Sequence, residues 1–520
     1  MPNFISDNYN QDTMMVVNFL EQISLDPFAL TVHHLIETRI DLSPFFAKYK
    51  NDEGKGGRKA YSPAVLLKLV LCAYSKGIRS SRDIQWHCEH NAIFNALACG
   101  RVPHFTSIAG FVSDQPEAIA DVFEQVLMVC DEEGLLGHEL LAIDGCKMRS
   151  NASKEHSGTF KELERKRSKI RQRINECMKE HQHLDKRKPR EKERKEQLEK
   201  TLASLDKHFE KIDQFLKTAA PRMGQGRKPK EVKSNITDNE SAKMTTSKGT
   251  IQGYNGIATV DKEHQIIVDA QAFGEGSEHH TLQPVLTAVK DRYARLGISK
   301  DIYAEEIIVT ADTGFSNEKN NVYIKEAQIN AYIPDNQFRL RDKRFKDQKD
   351  TYGKRHRDTA KGQRSVIPAS EFTFNPKKKT CICPAGNTMW LHNESVPVKG
   401  KIKLAFEGNL TDCRHCELKH QCMRNPASAD TREGHGRQVS FTMSNGRTAT
   451  DWMKRRVDST EGKHIYSHRM STVEPVFANI GTNKRLNRFS LRGKTKVQGQ
   501  WQLYCMVHNI EKIMRYGAIT

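Results

Sequence analysis

Residues 140–145 read LLAIDG and residues 306–314 read EIIVTADTG. Both are short apolar runs, typical of buried strands, and each ends at an aspartate, Asp144 or Asp312, that glycine follows directly or one residue later. Strand-like and helix-like segments alternate around them, which predicts an α/β domain with a sheet at its core. Because sites in open α/β sheets form at the carboxyl ends of strands, the two aspartates are candidate functional residues.

The other segments of this predicted domain are short. Asp261 to His264 read as the turn of a β-hairpin. The predicted strands are residues 256–260, 265–273 and 331–334, and the predicted helices are residues 280–296 and 317–328.

Two carboxylates at strand ends, joined by a third from a helix, can hold a pair of divalent cations about 3.5–4 Å apart for in-line attack on a phosphodiester. Hard oxygen ligands favour Mg²⁺ or Mn²⁺. The candidate for the third carboxylate is Glu474. In an alternative interpretation the aspartates are turn residues before glycine. Glu474 would then form a capping box with Ser471 that begins a helix, and Pro475 would confine this position to the first turn.

The N-terminal part of the chain is predicted to form short helices. Ser62 and Pro63 form an N-cap and first-turn pair, and Gly77 suits the end of that helix. Basic residues flank three further short helices, a pattern compatible with a helix-turn-helix DNA reader. A plain helical packing or dimerisation domain explains the same pattern equally well. These helices lie near residues 81–88, 91–98 and 106–111.

The chain has 520 residues and a formal net charge of +19, which favours a polyanionic partner such as nucleic acid. The excess of positive charge is concentrated in two segments of the chain. Residues 161–230 hold 23 basic and 12 acidic residues, and residues 339–379 hold 14 and 5. Apolar residues spaced four and three apart over 198–216, a weaker stripe over 163–184 and a turn at Lys188-Pro189 predict an antiparallel coiled-coil hairpin in the first insert. Most of its charges are expected to form a solvated outer face.

Five of the twelve cysteines fall between residues 381 and 422. A Cys-x-x-Cys pair with further cysteines nearby is typical of tetrahedral zinc ligation in a cytosolic protein, although unligated thiols are the alternative. The predicted ligands are Cys383, Cys413, Cys416 and Cys422. Cys381 is a spare, and His415 or His420 could compete. The other cysteines are predicted to be core residues, namely Cys72, Cys88, Cys99, Cys130, Cys146, Cys177 and Cys505.

Several of these blocks together resemble bacterial insertion-sequence transposases of the DDE class. The catalytic resemblance is carried by the strand ending at Asp144, by IIVTADTGF through Asp312, and by the cluster of Tyr466, Arg469 and Glu474. GRKAYSPAVLLKLVLCAYSKGIRSSRDI, which begins at Gly57, and the later RVPHFTSIAGF are similar to the InsH-type N-terminal domain of the same transposases. The resemblance spans roughly residues 57–513, with the blocks in the expected order.

The resemblance implies a fold and a set of ligands. The fold is RNase H-like, and the implied ligands of two Mg²⁺ (or Mn²⁺) ions are Asp144, Asp312 and Glu474. Similar cysteine clusters lie between the second and third carboxylate blocks of related transposases, so the zinc implied here is structural.

The resemblance also implies DNA contacts. Tyr466 and Arg469 would match the residues that contact the DNA end near the third carboxylate. The family pattern has a lysine seven residues after the glutamate, where this chain has Gly481. Lys484 or Arg485, one helical turn further on, would reach the same phosphate.

The predicted fold class is therefore α/β. It combines an RNase H-like catalytic domain with an N-terminal all-helical domain, an inserted coiled-coil hairpin and a small cysteine-rich, zinc-ribbon-like insert. The predicted segments are a helical DNA-binding domain (1–135), the first strand of the catalytic domain (136–154), the basic helical hairpin (155–230), the RNase H-like core (231–338), the basic and cysteine-rich insert (339–440) and C-terminal helices (441–520).

The predicted function is transposition. The protein would bind the terminal inverted repeats of its element as double-stranded DNA, cut them with metal ions and join them to target DNA, acting as a homo-oligomer. A decayed or domesticated DNA-binding protein is the alternative that Gly481 favours. Asp312-Thr313-Gly314 is also the triplet of aspartic proteases, but those need a second such aspartate, which only a dimer could supply.

The sequence also predicts where the protein acts. No apolar run approaches the ~18 residues of a transmembrane helix, and the N-terminus lacks the features of a secretory signal. We therefore expect a cytoplasmic protein that has no membrane partner and associates with the nucleoid when it is bound to DNA.

Overall fold

The computed structural model describes residues 16–49, 59–185, 192–225, 229–246, 249–299, 301–342, 366–367, 369–376, 378–398, 401–442 and 448–518. They form two compact units, one within Met1–Ile333 and Thr460–Thr520 and the other within Pro334–Ser459. The predicted turn at Lys188-Pro189 and residues 343–365 of the second basic insert lie outside the described residues. Among the described residues, no helix combines the length and the apolar character that crossing a membrane requires.

Seven α-helices precede the first strand in the described chain, and blocks of strands and helices follow. The helices are α1 (Phe19–Ser24), α2 (Pro27–Thr38), α3 (Pro63–Ser75), α4 (Ser81–His90), α5 (Ala92–Leu97), α6 (Phe105–Asp114), α7 (Pro116–Glu132), α8 (Phe160–Asp185), α9 (Lys192–Thr218), α10 (Leu282–Leu296), α11 (Glu318–Glu326), α12 (Phe338–Arg341), α13 (Leu410–Arg414), α14 (Lys419–Cys422), α15 (Ser428–Thr431), α16 (Ala449–Asp458), α17 (Thr460–Ala478) and α18 (Lys494–Tyr516). The strands are β1 (Leu140–Arg149), β2 (Ser157–Gly158), β3 (Ser234–Asn235), β4 (Ala242–Thr246), β5 (Gly249–Asp261), β6 (Ile267–Phe273), β7 (Ile308–Ala311), β8 (Ala331–Tyr332), β9 (Thr373–Asn375), β10 (Thr380–Ile382), β11 (Thr388–Val398), β12 (Lys401–Glu407) and β13 (Gln438–Thr442).

A six-stranded mixed sheet lies at the centre of the first unit. β1 pairs antiparallel with β5 on one side and parallel with β7 on the other, and β8 continues parallel beyond β7. β4 and β6 both pair antiparallel with β5. Because β5 is antiparallel to both β1 and β6, β6 runs in the same direction as β1. The carboxyl ends of β1, β6 and β7 therefore lie at one edge of the sheet.

β1 is longer than the sequence predicts. We expected a strand that ends at Asp144, but β1 continues to Arg149 because residues 144–149 remain paired with β5. β7 ends at Ala311, one residue short of the predicted end at Asp312. The site therefore forms beside the point where β7 ends and β1 continues.

The C-terminal helix α18 covers the edge of β6 that does not pair with β5. The Asn509 side chain accepts from the Ile267 N–H at 2.8 Å and donates to the Ile267 carbonyl at 2.9 Å. In the same way the Gln498 side chain accepts from the Ala272 N–H and donates to the Ala270 carbonyl. Unpaired strand edges invite pairing with other chains, so these amides act as substitute strand partners.

The N-terminal helices pack against the same α18. α3 begins at Ser62, whose side chain accepts from the Ala64 N–H, and Gly77 follows its end at φ 73°, which confirms the predicted boundaries. The only charged side chain buried within α3, Lys68, pairs with Glu37. Helices α2, α3, α6 and α7 contact α18 and share one hydrophobic core with the sheet. The faces of these helices that touch α18 are thus unavailable to DNA.

Pro475 lies inside α17, so the predicted first-turn position and capping box are wrong. A proline inside a helix leaves the carbonyl four residues earlier without its donor. Here that carbonyl belongs to Ser471, and it accepts instead from the Gln265 side-chain amide at 3.0 Å. Gln265 lies in the turn before β6 and has a φ of 61°. It is 206 residues away from Ser471 in the sequence. The helix therefore continues through Pro475 because a distant side chain replaces the missing bond.

We predict that Gln265→Ala lowers the free energy of unfolding by about 1 kcal/mol, the usual worth of one such hydrogen bond. In a Pro475→Ala background the residue at 475 again has an N–H for the Ser471 carbonyl, so Gln265→Ala should cost measurably less. Urea denaturation of the four proteins of this cycle gives the comparison. An equal cost in both backgrounds would contradict the substitute-donor explanation.

The first basic insert contains two antiparallel helices, α8 and α9. Arg167 pairs with Asp213 at 2.8 Å, and His181 lies 3.2 Å from Glu199, so residues near the start of α8 contact residues near the end of α9. Their buried apolar contacts are Leu163, Ile174, Cys177 and Ile212. The helical pair is present, and heptad packing along its whole length stays a prediction.

The second unit contains a five-stranded antiparallel sheet in the order β13-β12-β11-β10-β9, with short helices beside it. Cys381 is fully buried in its core and faces Met389.

The prediction that the other cysteines are core residues is wrong for Cys99 of the first unit. Cys99 is exposed in a turn after α5, where its φ is 51°. Cys146 is only partly buried.

Candidate functional site

Asp144 and Asp312 meet at the edge where β7 ends. Ile143 and Ala311 are register partners on the parallel strands β1 and β7, so the aspartates that follow them are adjacent across the sheet. The Asp144 carboxylate accepts the Gly145 N–H at 2.8 Å, and its side chain is 22% exposed. The Asp312 side chain is 39% exposed. The structure therefore brings these two predicted residues together with access from solvent.

Arg469 of α17 bridges the two carboxylates. Its Nη1 lies 2.8 Å from Asp144 Oδ2, and its Nη2 lies 3.6 Å from Asp312 Oδ1. Only 8% of the Arg469 side chain is exposed, and its guanidinium carbon lies 5.7 Å from the centre of the Tyr466 ring. This guanidinium offsets part of the negative charge of the two carboxylates.

The charges of this cluster shift each other's titration. Burial raises the pKa of the Asp144 carboxyl, and the neighbouring charge of Asp312 raises it further, while Arg469 opposes both. Burial lowers the pKa of the Arg469 guanidinium, but Tyr466 and the two aspartates outweigh it, so the net shift is upward. Burial also raises the pKa of the Tyr466 hydroxyl. Arg469 is therefore the cation that opposes the upward shift in the pKa of Asp144.

Glu474, the third predicted carboxylate, lies on the same helix but on another face. It follows Arg469 by five residues, which places it about 140° around the helix from the guanidinium. Its side chain is exposed, and among the contacts of the described residues none joins Glu474 to Asp144 or Asp312. Its role as a ligand stays a prediction.

Lys484 and Arg485, the two predicted phosphate contacts, differ in their exposure to solvent. Lys484 is 1% exposed and pairs with Glu511 of α18 at 2.5 Å, so its ammonium does not face solvent, and its contact with a phosphate stays a prediction. Arg485 is exposed. Gly481 lies in a π-helical turn, Asn479–Asn483, and a Cβ added there would meet no atom within 4 Å. Arg485 is thus the one of this pair that lies at the surface.

The site contains one acidic residue, Glu278, that the sequence pattern did not predict. Glu278 follows β6 in a short 3₁₀ helix, Glu278–His280, and accepts a 3.2 Å hydrogen bond from the Asn255 amide. Burial raises the pKa of its carboxyl, and the charges of Asp144 and Asp312 act in the same direction. In the sequence Glu278 follows a strand-like run, but only the sheet order shows that this strand runs parallel to β1.

The four cysteines chosen as zinc ligands line one cavity of about 30 Å³ in the second unit. The turn after β10 holds Cys383, whose sulfur accepts the Asn387 N–H at 3.3 Å, and the Arg437 N–H donates to Cys413. Burial raises the pKa of the Cys413 and Cys422 thiols. Among the described residues, no three Cys, His, Asp or Glu side chains converge closely enough to hold a metal ion, either here or at the aspartates.

Comparisons with known proteins match both ends of the chain. The family described as transposase DDE domain matches residues 382–514, and the family described as transposase domain (DUF772) matches residues 17–114. No curated protein and no solved structure matches the chain significantly. The DDE match includes Arg469 and Glu474, and the other match includes the N-terminal helices α1 to α6. Residues 382–514 are thus similar to a transposase DDE domain and residues 17–114 to a second transposase domain, and together the two matches indicate an insertion-sequence transposase of the DDE class.

Proposed function

We propose that this transposase binds the terminal inverted repeats of its element, cuts the DNA strands there in a divalent-metal-dependent reaction and transfers the freed ends to target DNA. The family implies a DNA substrate and divalent cations such as Mg²⁺. The observation that carries the proposal is the pair of adjacent, solvent-accessible carboxylates, Asp144 and Asp312, held by one guanidinium. Their hard oxygens suit Mg²⁺ or Mn²⁺.

In this proposal each residue of the cluster has a separate task. Asp144 and Asp312 would hold the cations, which when bound stabilise charge on the attacking and leaving oxygens of the phosphodiester. Arg469 would hold the two carboxylates near each other through its contacts with both of them. Glu474, which the resemblance implies as the third ligand, would approach from α17 when DNA is bound. After the first cut, the freed 3′-hydroxyl would attack the target phosphodiester at the same edge of the sheet.

A basic groove in the first unit supports DNA contact. It has a volume of about 570 Å³ and is lined by residues that include Lys76, Arg79, Arg485 and Arg488. Trp86 on the same groove is 54% exposed. Clustered cations neutralise phosphates and an exposed aromatic ring can stack on a base, so this surface suits the DNA backbone and an unstacked base together.

The experiment that tests the function combines cutting and joining in one assay. A labelled duplex that carries the inverted repeat from the DNA flanking the gene is incubated with the protein, Mg²⁺ and a supercoiled target plasmid. We expect Mg²⁺-dependent strand cuts at the repeat end and covalent transfer of the label to the plasmid. Binding without cutting under all metal and salt conditions would favour the alternative, a DNA-binding protein that has lost catalysis.

We also propose a structural zinc ion at the cysteine cavity of the second unit. Four soft sulfur ligands suit zinc, and backbone N–H groups donate to two of these sulfurs, which stabilises thiolates. Zinc would tie the turn after β10 to the segment of α13 and α14, which holds the other three cysteines.

We predict that protein purified without chelators contains one zinc per chain. Cys416→Ser should lose most of the metal and lower the melting temperature, because three ligands hold zinc far less tightly than four and the binding free energy contributes to folding. Metal analysis and thermal denaturation measure both effects. Cys99→Ser, at the exposed cysteine outside the cavity, is the matched control and should keep its zinc. Wild-type protein free of zinc would contradict the proposal.

A further inference from the structure

Glu278 stands at the same edge of the sheet as the two aspartates. β6 runs in the direction of β1 and β7, so the residues that follow β6 emerge beside the residues that follow β7. The short helix Glu278–His280 contacts the short helix Thr313–Phe315 directly after Asp312. The topology therefore brings a third carboxylate to the edge that holds Asp144 and Asp312.

Two glycines make room for this side chain. A Cβ at Gly314 would overlap Glu278 Oε2, and a Cβ at Gly145 would lie 3.1 Å from Glu278 Oε1. Gly145 follows Asp144, and Gly314 is two residues after Asp312. The glycines of the DG and DTG stretches thus admit the Glu278 carboxylate between the segments that carry the aspartates.

A buried amide beside Glu278 lacks a partner. Asn255 is fully buried, and its Nδ2 donates to Glu278 Oε1 at 3.2 Å. Its Oδ1 has no hydrogen-bond partner and lies 2.8 Å from the position that a Cβ of Gly145 would occupy. A buried acceptor without a donor costs free energy unless a cation or a bound water satisfies it. This oxygen is therefore independent support for a ligand at the edge.

The edge carries charged groups of both signs. The carboxylates of Asp144, Asp312 and Glu278 interact with one another, and the cations that act on them are Arg469 and Lys147. Three carboxylates and the two cations Arg469 and Lys147 thus act on one another here, and the carboxylates supply hard oxygen donors. A divalent cation is the partner that such a set attracts most strongly.

We propose that Glu278 is a ligand of the divalent cation together with Asp144 and Asp312, and that Asn255 is a positioning residue that orients the Glu278 carboxylate. The inference rests on the proposed function, because it assigns a further ligand to the same metal-dependent site. It also separates two glutamates: Glu278 lies beside the segments that carry the aspartates and would close on a cation when one binds, whereas Glu474 faces solvent in the protein without DNA.

The test is a Mn²⁺ titration of the purified full-length protein without DNA, followed by the electron paramagnetic resonance signal of free Mn²⁺. Glu278→Gln should weaken Mn²⁺ binding at least about tenfold, and Asn255→Ala should weaken it by about 10-fold to 100-fold through loss of orientation. Gly314→Ala should weaken it too, because the added methyl displaces Glu278 while every charge remains. Competition with Mg²⁺ establishes that both ions use one site.

Glu326→Gln is the matched control, since Glu326 is exposed at the end of α11 and the substitution removes the same charge. It should bind Mn²⁺ as the wild type does. Glu278→Asp keeps the charge and should bind more tightly than Glu278→Gln, which distinguishes a ligand from a group needed only for folding. Thermal melts identify any variant that is not folded.

Two results would overturn the inference: wild-type protein that binds no Mn²⁺, or Glu278→Gln protein that binds it normally while Asp144→Asn does not. The second result would leave the proposed function intact. Conversely, a protein that binds Mn²⁺ through Glu278 and never cuts DNA would refute the proposed function and leave the metal site standing.

Discussion

Replacing Asp144 by Asn is expected to lower the rate of Mg²⁺-dependent cleavage of element-end DNA by at least about a thousandfold. A bound divalent ion contributes several kcal/mol of transition-state stabilisation, and each 1.36 kcal/mol corresponds to a factor of ten in rate. The asparagine side chain has nearly the same shape and can still accept the Gly145 N–H, so the change removes the charge with little effect on packing. Single-turnover cleavage at saturating protein measures the loss.

Asp312→Asn should produce a loss of similar size, and the double variant should be little worse than either single variant. Residues that hold one metal site act as a unit, so their effects do not add. Asp291→Asn, at an exposed position on α10, is the charge-matched control and should cut normally. Fully additive losses, or a control as defective as Asp144→Asn, would contradict a shared site.

Replacing Arg469 by Ala is expected to lower the free energy of unfolding by about 3 kcal/mol. The substitution leaves Asp144 and Asp312 without their guanidinium, and removing one partner of a buried ion pair is strongly destabilising. The loss should shrink when Mg²⁺ is added, because a cation at the same carboxylates replaces the missing charge. Urea denaturation with and without Mg²⁺ measures both effects.

The loss in Arg469→Ala should also depend on pH. Burial already raises the pKa of Asp144 above its value in the unfolded chain, and loss of Arg469 raises it further. A raised pKa means that the folded state holds its proton more tightly, so the destabilisation is present at neutral pH and fades as the pH falls through the folded-state pKa. Arg295→Ala is the control: Arg295 is 57% exposed, and its partner Glu124 keeps a second partner in Arg292, so its loss should cost less than about 1 kcal/mol.

The sequence was sufficient to predict the pair of aspartates because local pattern and strand direction determine their position. Asp144 and Asp312 each follow a short apolar run, and parallel strands with their carboxyl ends at one edge bring such residues together. The position of Glu278 at the site is explained by the same rule, because Glu278 follows the carboxyl end of β6. That strand pairs antiparallel with β5, and only the full sheet order reveals that it runs parallel to β1.

Other features depend on contacts between residues far apart in the chain. α17 continues through Pro475 because Gln265, in a turn of another element, supplies the missing donor. Lys484 points inward because it pairs with Glu511 of α18. No local sequence pattern near residue 484 predicts that partner. Glu474 shares a helix with Arg469, but a separation of five residues places the two on different faces.

The most direct test of the metal-dependent site is the chemistry of the cut ends. Wild-type protein and Asp144→Asn protein are incubated with the same element-end duplex in Mg²⁺, and the products are mapped at nucleotide resolution. We predict cuts at the repeat end that carry 3′-hydroxyl groups, made by the wild type only and abolished when Mg²⁺ is chelated. Equal cutting by Asp144→Asn protein, or cutting that survives chelation, would contradict the assignment of Asp144 and Asp312 as the catalytic carboxylates.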